Sequence, residues 1–268
     1  MKIKKIIIIV QARVNSTRLP GKVLLPLCGK EMLIRQIQRI SKSRYASNIV
    51  VATTTNDSDR KIVRLCEKEN IHVFRGSEDD LLDRHYKAAI FHEADVVCKI
   101  PSDCPLIDPN IIDMVFDYYI LNEGSFDFVS NLHPPTYPDG NDVEIMPISV
   151  LKKAWIEANN EFQREHTTPY IWDNPDKFRT GNFRWQKGYN YSMTHRFTVD
   201  YREDYEFIKS VYNELFPRKH DFTLYDILNL LREKPGLMEI NKKFNGVNWY
   251  RGHLGKLNTI KPGRTKII

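Results

Sequence analysis

A three-layer α/β/α fold around a mostly parallel sheet is what the sequence predicts, on three observations. Apolar runs too short to cross a membrane recur at 6–10, 48–53 and 94–100 and read as buried strands. Stretches with helical spacing follow them, as at Leu33, Ile34, Ile37 and Ile40, which is the βαβ rhythm of a parallel sheet. Each strand empties into a polar or charged loop, the position where open α/β sheets bind ligands.

The first loop, QARVNSTRLPGKVLLPLCGK over 11–30, carries Arg13, Arg18 and Lys22, the donors Asn15, Ser16 and Thr17, and a Pro20-Gly21 turn. Three cations on a pliable backbone make a cradle for a polyphosphate. It matches neither GxxxxGK[ST] nor GxGxxG, so it is neither a P-loop nor a dinucleotide fingerprint. A helix over 32–43 and the strand over 48–53 come next; Asp57 or Ser58 caps a helix through Ile62, Val63, Leu65 and Cys66. A short strand at 71–74 leads into RGSEDDLLDR, whose acidic residues suit a helix start.

The strand over 94–100 ends in PSDCPLIDP. Mg²⁺ takes one or two carboxylates plus substrate phosphates, so Asp103 at the strand tip is a fitting anchor. Asp108 is placed to cap a helix over 111–121, with Pro109 at its first position. A strand at 128–130 precedes NLHPPTYPDGND over 131–142, a turn-rich excursion of the kind that builds binding loops. Asp142 and Glu144 would share one face if they lie on a strand, either receiving sugar hydroxyls or an amine, or serving as edge charges. Helices are expected over 148–158, 205–215 and 224–231, with Asp204 starting the second of these. The segment 234–268 reads as a polar tail after a domain spanning 1–233.

The net charge is +6, with 41% hydrophobic and 28% charged residues. The basic residues are dispersed, which argues against nucleic acid and suits a small polyanionic substrate. Cys28, Cys66, Cys98 and Cys104 form no CxxC pair and fit a reducing cytoplasm rather than a zinc or disulfide framework. The apolar run at the start reads as a strand, and no membrane span is expected.

ARxxSTRLPGKxLLPLxGK closely resembles the signature of sugar-activating nucleotidyltransferases, and most of all the cytidylyltransferases of the spore-coat polysaccharide type, related to the CMP-sialic acid and CMP-octulosonate synthetases. Five further stretches agree: RGSEDDLLDR, SDCPLIDP, YPDGNDVE, REHTTPY and RFTVDYRED. Gln163 departs from the family's acidic residue before Arg164. The resemblance implies a Rossmann-like fold of the nucleotide-diphospho-sugar transferase type, CTP and a sugar acceptor as substrates, Mg²⁺, and a homodimer formed through an inserted region over 131–190.

Carried onto this chain, the resemblance implies that Ala12, Arg13, Ser16, Arg18, Lys22, Thr53, Asn56, Arg75, Gly76 and Asp103 bind the nucleotide. Lys22, Arg13 and Arg18 act on the triphosphate, and Asp103 and Asp200 hold the metal. Tyr137, Asp142, Glu144, Arg164 and His166 surround the acceptor, an acidic nonulosonic or octulosonic sugar or a sugar 1-phosphate. Two other classes stay open: a glycosyltransferase of the same fold, although Asp103-Cys104-Pro105 lacks its D-x-D pair, and a non-catalytic sugar-nucleotide binder.

Overall fold

The computed structural model describes residues 4–186, 188–261 and 263–267. The first strand, β1 (Ile6–Gln11), is followed by a small hairpin of β2 (Pro26–Leu27) and β3 (Lys30–Glu31), and then by α1 (Met32–Ile40). Three βα steps complete the parallel part: β4 (Ile49–Thr54) with α2 (Arg60–Lys68), β5 (His72–Gly76) with α3 (Leu81–Phe91), and β6 (Val96–Pro101) with α4 (Pro109–Leu121).

The chain then supplies β7 (Phe128–Ser130), β8 (Glu144–Pro147), α5 (Ile148–Glu157), α6 (Glu161–His166), α7 (Pro169–Trp172) and β9 (Thr180–Asn182). It closes with α8 (Arg202–Leu215), α9 (Leu224–Glu233) and the short α10 (Gly236–Glu239). Among the described residues these form a seven-stranded sheet in the order β5-β4-β1-β6-β8-β7-β9. β4, β5 and β6 run parallel to their neighbours on the β1 side, whereas β8 is antiparallel to both β6 and β7. The segment 131–190 therefore contributes β8 and β9 to the main sheet.

Burial on both faces explains the uninterrupted apolar strands. Along β1 the side chains alternate: Ile8 and Val10 pack into the larger core beneath α1, α4, α8 and α9, while Ile7 and Ile9 pack into the second core with α3, α5 and α7. The helix ends follow the local chemistry. Asp108 accepts the Asn110 amide at 2.9 Å ahead of Pro109, and Asp80 accepts from Asp83 N at 2.8 Å to cap α3. Asp204 lies inside the first turn of α8, which starts at Arg202, and its carboxylate accepts the amides of Asp200 and Tyr201, each at 3.0 Å.

Strand order reverses between β4 and β6 on either side of β1, so the crevice outside the carboxyl ends of β1 and β6 is the topological switch point. Gln11 and Pro101 are paired neighbours there, which sets the first loop beside the one bearing Asp103.

Candidate active site

A cavity of about 610 Å³ opens at this point. Its floor is the loop after β1. Asp59, itself buried, anchors that loop by accepting the Val14 amide at 2.7 Å and the Thr54 hydroxyl. The loop reverses at Gly21, whose φ of 71° lies in the left-handed region, with its amide donating to Val14 O at 2.8 Å. A single turn then follows, beginning at Lys22.

Lys22 is buried, only 8% exposed, although a loop lysine would be expected in solvent. Its Nζ donates to Val199 O at 2.6 Å and to the carboxylates of Asp103 at 3.0 Å and Asp200 at 3.2 Å. Two backbone-directed bonds bring these aspartates together from positions 97 residues apart in sequence: Val199 N donates to Asp103 O at 2.8 Å, and Thr198 Oγ1 to the same carbonyl at 3.2 Å. Asp200 also receives Arg18 at 2.6 Å and Arg196 at 2.9 Å. Burial alone would raise its pKa, but Lys22, Arg18 and Arg196 outweigh it and hold the carboxyl well below the usual range. Lys22 in turn stays protonated: burial disfavours its charge, and Asp103 and Asp200 more than restore it.

Arg196 is the hub behind this pair. Enclosed almost completely, it bonds Asp139 and Asp204 at 3.0 Å each, Asp200, and the Val247 carbonyl at 2.7 Å. Through that last bond residues 247–253, beyond the anticipated domain limit at 233, join the wall, with Trp249, Tyr250 and His253 facing the cavity. Trp249 lies 4.2 Å, ring to ring, from His166.

The opposite wall holds Glu144, paired with Lys99 and accepting the Thr168 hydroxyl at 2.6 Å, together with Asp142 and Tyr137. β8 begins at Glu144, so Asp142 precedes the strand and the two do not share a strand face as anticipated. Burial and the neighbouring Asp103 push the Asp142 carboxyl up to about 7, with Lys99 opposing. Burial, with His253 second, lowers His166 to about 3, and burial lowers His133 to about 4; both imidazoles are neutral.

Of the anticipated residues, Ala12, Arg13, Ser16, Arg18, Lys22, Asp103, Asp200, Tyr137, Asp142, Glu144 and His166 face this one cavity. Five do not line it. Thr53 is buried inside β4. The Arg75 guanidinium is occupied by the carbonyls of Thr54, Thr55 and Asn56 at 3.0, 2.6 and 3.1 Å, which makes it a brace for that loop and involves Asn56 only through its backbone. Gly76 packs against α3: a Cβ there would come within 3.0 Å of Arg84 Cγ. Arg164 is bound to Asp80 at 2.6 Å and to the carbonyls of Trp155 and Ala158 at 3.0 and 2.8 Å, outside the cavity.

Arg196, Lys99, Asp139, Arg84, His133 and the 247–253 wall also line the cavity, beyond the residues anticipated from the sequence. Arg196 begins the RFTVD stretch, and Lys99 is a lone charge within a buried strand; both were visible signals. Nothing in the tail's pattern points to the cavity.

No group of three or more His, Cys, Asp or Glu disposed to hold a metal occurs among the described residues. Asp103 and Asp200 nonetheless converge on one point, now marked by Lys22 Nζ, and two carboxylates suffice for a Mg²⁺ ion that also binds phosphates. The residues present thus fit such an ion.

A cationic loop and converging strand-end aspartates at the switch point of an α/β sheet define a nucleotide-handling enzyme of the nucleotidyltransferase class. Comparison with known proteins narrows this class. The cytidylyltransferase profile matches residues 7–229, and the chain belongs to that family. An uncharacterized protein of Methanocaldococcus jannaschii is 36% identical over 245 residues, 91% of this chain and 94% of the relative. The spore coat polysaccharide biosynthesis protein SpsF of Bacillus subtilis is 31% identical over 235 residues, 86% and 95% of the two chains. The structure of a cytidylyltransferase from Leptospira borgpetersenii superimposes with a TM-score of 0.83 at 33% identity, covering 88% of this chain and 97% of its own. The protein is accordingly a cytidylyltransferase. No helix among the described residues is long and apolar enough to cross a membrane.

Proposed function

We propose that the enzyme transfers CMP from CTP to a sugar acceptor with release of pyrophosphate, in the synthesis of a surface polysaccharide or glycan. The observation that carries this reading is the convergence of Lys22, Asp103 and Asp200 at the switch point, with Arg13 and Arg18 on the same loop. Asp103 and Asp200 would hold Mg²⁺, which supplies charge neutralisation to the triphosphate when bound.

The chain's own residues position the rest. Arg13, Arg18 and Lys22 grip the triphosphate, and the Arg196 hub keeps Asp200 ionised and aimed. An acceptor oxygen held near Tyr137, Asp142, Glu144 and His166 attacks the α-phosphorus, the bond to the β-phosphate oxygen breaks, and pyrophosphate leaves. With His166 neutral and Arg164 committed elsewhere, the acceptor is met mainly by hydroxyl, carboxylate and aromatic groups.

The spore coat relative supports the polysaccharide context, the family resemblance supports a homodimer, and the free cysteines support a reducing cytoplasm. The test is pyrophosphate release with Mg²⁺, CTP and a panel of acidic sugars, sugar 1-phosphates and amino sugars. Acceptor-dependent release supports the reading. Transfer of sugar from a CMP-sugar to an acceptor without pyrophosphate would replace it with a glycosyltransferase.

A further inference from the structure

We propose that Arg84 is an anion-binding residue of this cavity and that, with Arg13, it receives a phosphate group of the bound nucleotide. The identity of the anion as a nucleotide phosphate rests on the CTP reading above. Arg84 stands on α3 and lines the cavity, yet it is only 3% exposed. Its Nη1 donates to Ser77 O at 2.8 Å, its Nε has no partner, and it forms no ion pair among the described residues.

The other enclosed cations of the wall are neutralised: buried Lys22 by Asp103 and Asp200, part-buried Lys99 by Glu144, and buried Arg196 by three carboxylates. Arg84 instead faces a second cation. Burial first, and then Arg13, lower its pKa to about 10, while Asp59, Glu78 and Asp80 relieve it only from beyond ion-pair range.

A buried guanidinium without a counter-ion is costly, and the cost is relieved when an anion arrives. A planar fork with unused N–H groups suits phosphate oxygens better than a point charge. The close approach of Gly76, where a Cβ would sit 3.0 Å from Arg84 Cγ, fixes the stem so that the head is held in place before the ligand binds. A residue serving only to brace the Ser77 carbonyl would need one N–H and no charge.

The experiment compares the full-length wild type with Arg84→Gln and Arg84→Lys by calorimetric titration of CTP, tripolyphosphate and cytidine, and by ligand-free Tm. Arg84→Gln is expected to weaken CTP and tripolyphosphate at least tenfold, leave cytidine unchanged and raise the ligand-free Tm, with Arg84→Lys between. Unchanged affinity for both polyanions overturns the proposal. So does a loss shared equally by cytidine, which would mean a contact to the base, or a lowered Tm with affinity intact, which would mean a brace. A wild type that binds tripolyphosphate but not CTP would fail the cytidylyl reading while leaving the Arg84 comparison decisive on tripolyphosphate. A wild type that binds neither overturns both.

Discussion

Replacing Lys22 by Met deletes the cation that forms ion pairs with both Asp103 and Asp200. Asp103 then keeps no ion-pair partner among the described residues, and Val199 O loses its 2.6 Å bond. Asp200 keeps Arg18 and Arg196. Breaking a fully buried pair costs roughly 3–5 kcal/mol. Here the side chain of Asp103 is 26% exposed and Asp200 retains two guanidinium groups, so the expected loss of stability is smaller, about 1–3 kcal/mol. Catalysis should suffer more. A preorganised cation aimed at developing charge contributes on the order of 10²–10³ in turnover, about 3–4 kcal/mol. The assay is CTP-dependent pyrophosphate release measured well below the variant's own Tm, so that unfolding does not contribute. Turnover within threefold of wild type in a folded variant would remove Lys22 from the mechanism.

Two further outcomes follow from the same geometry. Asp142→Asn should raise Tm at pH 8 and keep less than half of that advantage at pH 5. Its folded pKa, about 7, lies above the unfolded value of 3.8, so its contribution to stability is full below pH 4 and is lost progressively as pH rises to 7; removing the acid relieves on the order of 4 kcal/mol at pH 8 and about 1–2 kcal/mol at pH 5. An equal Tm offset at both pH values would contradict that environment. Gly140→Ala should destabilise by several kcal/mol, because φ is 102° and a Cβ would sit 2.7 Å from Phe197 C and 2.8 Å from Thr198 N, backbone atoms next to the aspartate loop. A denaturant midpoint close to wild type would show that the loop yields.

The sheet was legible because strands covered on both faces write themselves as unbroken apolar runs, as in Ile6–Gln11. The loop cations and the two aspartates were legible because they stand at strand ends in recognisable strings. The anticipated arginines that fall outside the cavity share a cause. Arg75 and Arg164 look like ligand-binding arginines, yet a guanidinium can be consumed by nearby carbonyls, and only the fold shows which carbonyls are near. The wall at 247–253 was invisible for a similar reason: Val247 acts through its backbone carbonyl, which has no sequence signature. The burial of Lys22 likewise depends on Val199 and Asp200, which lie far along the chain.

On the proposed function, this cavity is a CTP site organised by Lys22, Asp103 and Asp200. The most direct measurement is calorimetric titration of the wild type and Asp103→Asn with each of the four ribonucleoside triphosphates in Mg²⁺. CTP should bind the wild type at least tenfold more tightly than the other three, and Asp103→Asn should weaken CTP by a similar factor. Equal binding of all four nucleotides, or CTP binding untouched by Asp103→Asn, would contradict it.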